Sequence, residues 1–182
     1  MIARSRSRTR PLSLAEFHAL PEDAPHLELI DGEVYRKPVG KEPHSRAQWN
    51  LTLLLGTHAQ TKAGRGYTEV GYDFPGPLRD NHRVPDLSFY RPGRARQGEP
   101  YPTEMPDVAV EIRSQGQTMD LLRGRLAFLR DRGVPCTLLI DPRAQSVEVY
   151  DAGRTYLARG DDEVTLDTLD GFSFALPALF AY

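Results

Sequence analysis

Apolar and polar residues alternate along PDVAVEIR. Val108, Val110 and Ile112 share one face, and Ala109, Glu111 and Arg113 the other, the period-two pattern of a β-strand. RVPDLSFY reads the same way, with Leu87 and Phe89 on one face and Val84, Asp86 and Ser88 on the reverse. CTLLID is short and almost continuously apolar, as a strand covered on both sides should be. Tyr67 to Phe74 is read as one strand, LELIDGEVYRK as two strands about an Asp31–Gly32 turn, and SVEVYDAGRTYLARG as a hairpin. Helical signals interleave with these. Ser13 and Glu16 form a capping box on SLAEFHAL, and Pro43 opens a helical region through about Lys62 with Ala47, Leu51, Leu54 and Leu55 as its apolar stripe. TMDLLRGRLAFLRDRGV is a helix stopped by Gly133, and LPALFAY closes the chain with a short helix or turn. RPGRARQGEPYPTE, rich in Gly, Pro and Arg, is a loop. The strand–strand–helix–strand order predicts an α/β protein of the α+β kind, a mixed central sheet flanked by helices. No repeat or linker interrupts it, so residues 12–182 are expected to form one domain behind a tail at 1–11.

Composition narrows the class. A chain of 182 residues, 40% hydrophobic and 26% charged, can bury a sizeable core. The one cysteine, Cys136, excludes an internal disulfide and points to the cytoplasm. No apolar run is long enough to span a bilayer, so no membrane partner is expected. MIARSRSRTR lacks the apolar segment of a secretory signal. Its Arg4, Arg6, Arg8 and Arg10 read as a solvated tail, with phosphate contact the alternative. A net charge of −2 excludes a general nucleic-acid coat and leaves only local basic patches, such as Arg91, Arg94 and Arg96 in the loop.

The chemistry lies on the acidic faces. If the strands bearing Asp86 and Glu111 pair, their carboxylates approach one another. Two crowded carboxylates repel unless a proton or cation sits between them, and hard carboxylate oxygens suit Mg²⁺ or Mn²⁺. The alternative for each acid is a strand end in water, the usual fate of a lone acid. Glu28, alternating with Leu27 and Leu29 before the Asp–Gly turn, is a third candidate ligand or an exposed hairpin position. On the helix after Glu111, Arg125 falls in the middle of the apolar arc, between Leu122 and Leu129. A guanidinium there stays charged and must find carboxylates, an anion or water. Arg113 shares the face of Glu111 and is either a positive group at the site or a solvated strand end.

Together these pieces resemble the core of the PD-(D/E)XK nuclease superfamily: Asp86 after Pro85, then Glu111-Ile112-Arg113. The wider run LSLAEFHALPED, HLELIDGEVYRKP, His44 before a helix, RVPDLSFYRP, PDVAVEIRS, RGVP and LLIDPRAQSVEVY resembles the Uma family of bacterial "putative restriction endonucleases", from about Leu12 to the C-terminal LPALF. The resemblance implies a restriction-endonuclease-like fold and Mg²⁺- or Mn²⁺-dependent hydrolysis of DNA phosphodiesters. Asp86 and Glu111 would be metal ligands, Glu28 an assisting acid and His44 an auxiliary group. The motif lysine is absent: Arg113 stands two residues after the acid, and Arg125 stands at the helix position where this family commonly carries it. The chain's lysines, Lys37, Lys41 and Lys62, all lie outside the motif. Arginine can steady negative charge at phosphorus but is a poor general base.

Three rivals follow. A weakened member of the family would bind nucleic acid without cutting it. A protein-interaction module would use the Arg–carboxylate network structurally. A zinc hydrolase is disfavoured, because His18, His26, His44, His58 and His82 show no HExxH-type spacing. DNA is the expected partner, and a homodimer would supply two sites for two strands.

Overall fold

The computed structural model describes residues 10–21, 27–62, 64–94, 101–102 and 104–182. Arg4, Arg6, Arg8, His26 and Arg96 lie outside the described residues.

The central element is a six-stranded sheet. Its strands are β3 (Arg65–Thr68), β6 (Leu87–Tyr90), β7 (Val108–Ile112), β8 (Cys136–Asp141), β9 (Ser146–Asp151) and β10 (Arg154–Arg159), in spatial order β10-β9-β8-β7-β6-β3. β7 and β8 are parallel and every other neighbouring pair is antiparallel. That makes the sheet mixed, as the alternation patterns predict. The parallel pair needs a crossover, and helix α3 (Met119–Arg130) supplies it.

Strand periodicity divides the core in two. Val108, Val110 and Ile112 face helix α2 (Glu42–Lys62), packing with Ala47, Leu51 and Leu55. Ala109 and Leu139 face the other way, against Leu122, Leu126 and Leu129 of α3. Within α3, Arg125 is buried beside those leucines, whereas Leu121 is exposed. Thr118 caps the helix by accepting from the Leu121 amide.

A second, four-stranded sheet has the order β2-β1-β5-β4, from β1 (Leu27–Ile30), β2 (Glu33–Arg36), β4 (Tyr72–Phe74) and β5 (Asn81–Arg83). β1 and β2 are joined by Asp31 and Gly32, both at positive φ, as a two-residue hairpin turn requires. The short helix α1 (Leu14–His18), with its capping box intact, brings Phe17 to a small core with Leu12 and Leu29.

Two expected strands are broken. Tyr67 to Phe74 splits into β3 and β4, which belong to different sheets. Glu69, in the left-handed region at φ 55°, turns the chain between them. RVPDLSFY splits likewise into β5 and β6, because Pro85 has no N–H to offer a ladder. β3 pairs with β6 and β4 with β5. The two segments therefore run side by side from one sheet into the other, and Glu69 meets Asp86 at the crossing through an amide-to-carbonyl bond of 3.4 Å. A further hairpin, β11 (Glu163–Leu166) with β12 (Phe172–Ala175), precedes helix α4 (Leu176–Phe180) and closes the α2 side of the core.

Candidate active site at the seam between the sheets

Asp86 lies at the break between β5 and β6 and is wholly buried. Its Oδ2 accepts from the Ile112 amide at 2.5 Å, which fixes the carboxylate against β7. Its Oδ1 has no hydrogen-bond donor of good geometry. What faces that oxygen is a charge: the Lys37 ammonium lies 2.5 Å away, just beyond the end of β2. The same Nζ donates to Glu69 Oε2 at 3.0 Å and to the Val84 carbonyl at 2.8 Å.

Arg125 occupies the α3 side of the seam. Its Nε donates to Glu111 Oε1 at 2.9 Å, its Nη2 to Glu28 Oε1 at 2.7 Å, and its Nη1 to Glu28 Oε2. Glu28 Oε1 also accepts from the Val84 amide at 2.8 Å. Glu28, Glu111 and Arg125 are all buried. The guanidinium thus bridges an acid of the small sheet to an acid of the large one.

His44, near the start of α2, points its Nδ1 at the Ile112 carbonyl, 3.0 Å away. A carbonyl only accepts, so Nδ1 carries a proton. The ring Nε2 lies 3.7 Å from Asp86 Oδ1. Ligand atoms of His44, Glu69 and Asp86 lie within 4.8 Å of one another. Gln48 ties the group together, donating to the Asp86 carbonyl at 2.7 Å and to Glu69 Oε1 at 3.3 Å. Glu69, 31% exposed at its side chain, is the open edge of an otherwise closed cluster.

The charges do not balance. Glu28, Glu69, Asp86 and Glu111 face Lys37 and Arg125, with Arg83 acting on Glu28 from further off. The excess is negative by one or two charges, and it shows in the protonation. Burial pushes the Glu111 carboxyl up to about 7, with Asp86 adding to the push against the pull of Arg125. Burial also acts to raise Glu28 and Asp86, but Arg125 holds the first, and Lys37 with His44 the second, below the usual carboxylate range. Burial works against the Lys37 charge, yet Asp86, Glu111 and Glu69 raise its pKa, so it stays an ammonium. Burial brings Arg83 down to about 10.

Among the residues singled out in the sequence, Asp86, Glu111, Glu28, Arg125 and His44 gather at this seam. Arg113 is engaged elsewhere, pairing with Asp141 at 2.7 Å and donating to the Gln117 carbonyl at 3.1 Å. Arg91 and Arg94 of the loop pair with Asp107, while remaining 45% and 40% exposed at their side chains. Lys37 and Glu69 were not picked out by spacing. The available signal was an acid before Gly71 in an otherwise β-like run, and a lysine just past the second strand of the hairpin that bears Glu28.

A mixed sheet carrying an acid pair opposite a buried cation is the framework of a restriction-endonuclease-like protein. The Uma2 family model, described as "Putative restriction endonuclease", matches residues 14–177, and the chain belongs to that family. A crystal structure of an Anabaena variabilis ATCC 29413 protein, titled a "putative nuclease belonging to DUF820", superimposes with a TM-score of 0.79 at 26% identity, covering 93% of this chain and 98% of that one. A cryo-electron microscopy structure of a DrdV–DNA complex matches with a TM-score of only 0.42 at 16% identity, over 72% of this chain and 11% of that one. No curated protein matches.

Proposed function

We propose that this protein is a divalent-cation-dependent endonuclease that hydrolyses DNA phosphodiester bonds, with Mg²⁺ or Mn²⁺ held at Asp86. The observation that carries the reading is Asp86 Oδ1, a wholly buried carboxylate oxygen that faces the Lys37 ammonium at 2.5 Å and ligand atoms of Glu69 and His44, in a cluster with surplus negative charge. Asp86 and Glu111 are the ligands the family pattern implies, and Glu69 and His44 add donors from two further elements. Such a cation supplies Lewis-acid polarisation of a phosphate and activation of water.

The chain's own residues do the rest. Lys37 takes the place of the absent motif lysine, arriving from the end of β2 instead of from β7 or α3. As an ammonium it cannot remove a proton, so its part is to steady negative charge gathering at phosphorus. Arg125 spends its donors on Glu28 and Glu111 and is a positioning residue. Phosphates approach over the Glu69 edge, with the Arg91–Arg94 loop offering backbone contacts.

The test is nicking of supercoiled plasmid in Mg²⁺, Mn²⁺ or chelator. Asp86→Ala and Glu111→Ala should lose activity about hundredfold or more. Lys37→Met should lose rate while keeping Mn²⁺ affinity by calorimetry. Wild-type cutting by Asp86→Ala would place the chemistry elsewhere. One observation favours a second reading: Lys37 already lies between Asp86 and Glu69, where a cation would sit. A binding module that has replaced its metal with this ammonium would bind DNA, show no Mn²⁺ heat and leave plasmid intact.

A further inference from the structure

His18, Asp73 and His82 converge outside the Asp86 cluster and share no residue with it. His18 closes α1, Asp73 is the middle of β4, and His82 is the middle of β5. His18 Nε2 lies 2.9 and 3.1 Å from the two Asp73 oxygens, and His82 Nδ1 lies 2.7 Å from Asp73 Oδ1. One ligand atom from each residue falls within 4.8 Å of the other two. His18 lies 55 residues before Asp73, and His82 nine after it on the neighbouring strand, a spacing that matches no metal-ligand motif.

We propose that these three side chains form a second cation site, for a borderline transition metal such as Zn²⁺, that staples α1 to the small sheet. Two imidazoles and one carboxylate are a donor set that Zn²⁺ accepts readily and that Mg²⁺, preferring all-oxygen shells, does not. The rings are already oriented. His82 is buried, and its ring lies so close to Gly71 that a Cβ there would come within 2.2 Å of it. Phe17 packs against His82 with ring centroids 5.0 Å apart. Tyr101 stacks on His18 at 4.2 Å with the planes 11° apart. The open side remains at His18 and Asp73, whose side chains are 25% and 17% exposed, so a fourth ligand from solvent has access. A metal here replaces two His–Asp hydrogen bonds with three coordinate bonds and joins the N-terminal helix to β4 and β5. It acts on structure and not on the scissile phosphate.

The experiment is Zn²⁺ calorimetry and thermal unfolding of the full, untagged chain, with Co²⁺ absorption as a coordination readout. Wild type and Asp86→Asn should each keep a Zn²⁺ equivalent that His18→Gln and Asp73→Asn lose. At a hundredfold excess over Kd the midpoint should rise by about 5–10 °C in the first pair and not in the second. His18 is partly exposed, so His18→Gln is expected to fold, and its unchanged midpoint without metal confirms that. No Zn²⁺ uptake, or uptake indifferent to His18→Gln and Asp73→Asn, leaves only a hydrogen-bonded His–Asp–His network and overturns the proposal. Because Asp86→Asn removes the proposed nuclease ligand and not this one, failure at either site is visible separately.

Discussion

Glu111 carries the strain of the site in its protonation. Burial pushes its carboxyl from the ordinary 4.5 up to about 7 in the folded protein. A raised folded pKa contributes stability that is fully present below the unfolded value and is lost as pH climbs through the folded one. Between pH 4.5 and pH 7 the contribution lost is on the order of 3 kcal/mol. Urea unfolding in chelator should therefore show stability falling from pH 5 to pH 8. Glu111→Gln should flatten that slope, and Mn²⁺ should restore stability at pH 8 in the wild type. A wild-type profile as flat as that of Glu111→Gln would mean the carboxyl is not held in this way. Arg125 was legible at this scale because a charge in the middle of an apolar helical arc demands a partner. Lys37 was not, since nothing local distinguishes a lysine after a strand from any solvated one.

At the scale of elements, α3 does two jobs with one face. Leu122, Leu126 and Leu129 seat it on β7 and β8, while Arg125 reaches past the large sheet to Glu28 of β1. Removing that guanidinium strands two buried carboxylates. Arg125→Met is expected to cost about 3–5 kcal/mol at pH 8, and less at pH 5, where Glu111 takes up a proton. Chemical denaturation at both pH values checks this, and an unchanged midpoint at pH 8 would show that the helix is held by its leucines alone. The helix itself was readable from its period and from Gly133. The broken strands were not. Whether Tyr67 to Phe74 stays in one sheet depends on a positive φ at Glu69, and whether RVPDLSFY does depends on what its neighbours leave for Pro85 to avoid. Those are tertiary matters, and they decide that Glu69 stands beside Asp86.

For the whole molecule, the mixed sheet with helices on both faces followed from strand alternation and element order. The β1–β2 hairpin was legible in LELIDGEVYRK, but its pairing with β5 and β4 into a second sheet, and the β11–β12 hairpin, were not, because β4 and β5 are only three residues long and β11 and β12 are four-residue strands that no two-residue turn joins. Among the described residues, no helix is long and apolar enough to cross a membrane. On the proposed function, each chain carries one Asp86 cluster, so a single encounter with duplex DNA would open one strand. If the protein works as a homodimer, linear plasmid should appear together with nicked plasmid, and its share should rise with protein concentration. Nicked product alone at every concentration would identify a single-strand cutter. The rise should track a dimer seen by sedimentation at the same concentrations.

Two backbone amides, those of Val84 and Ile112, end on carboxylate oxygens of Glu28 and Asp86 instead of on a carbonyl. Their proton chemical shifts depend on the charge those oxygens carry. The protein therefore has built-in spectroscopic gauges: a nitrogen–proton correlation spectrum followed during Mn²⁺-free Mg²⁺ addition would report loading of the Asp86 carboxylate directly, with no DNA in the tube and no turnover to measure.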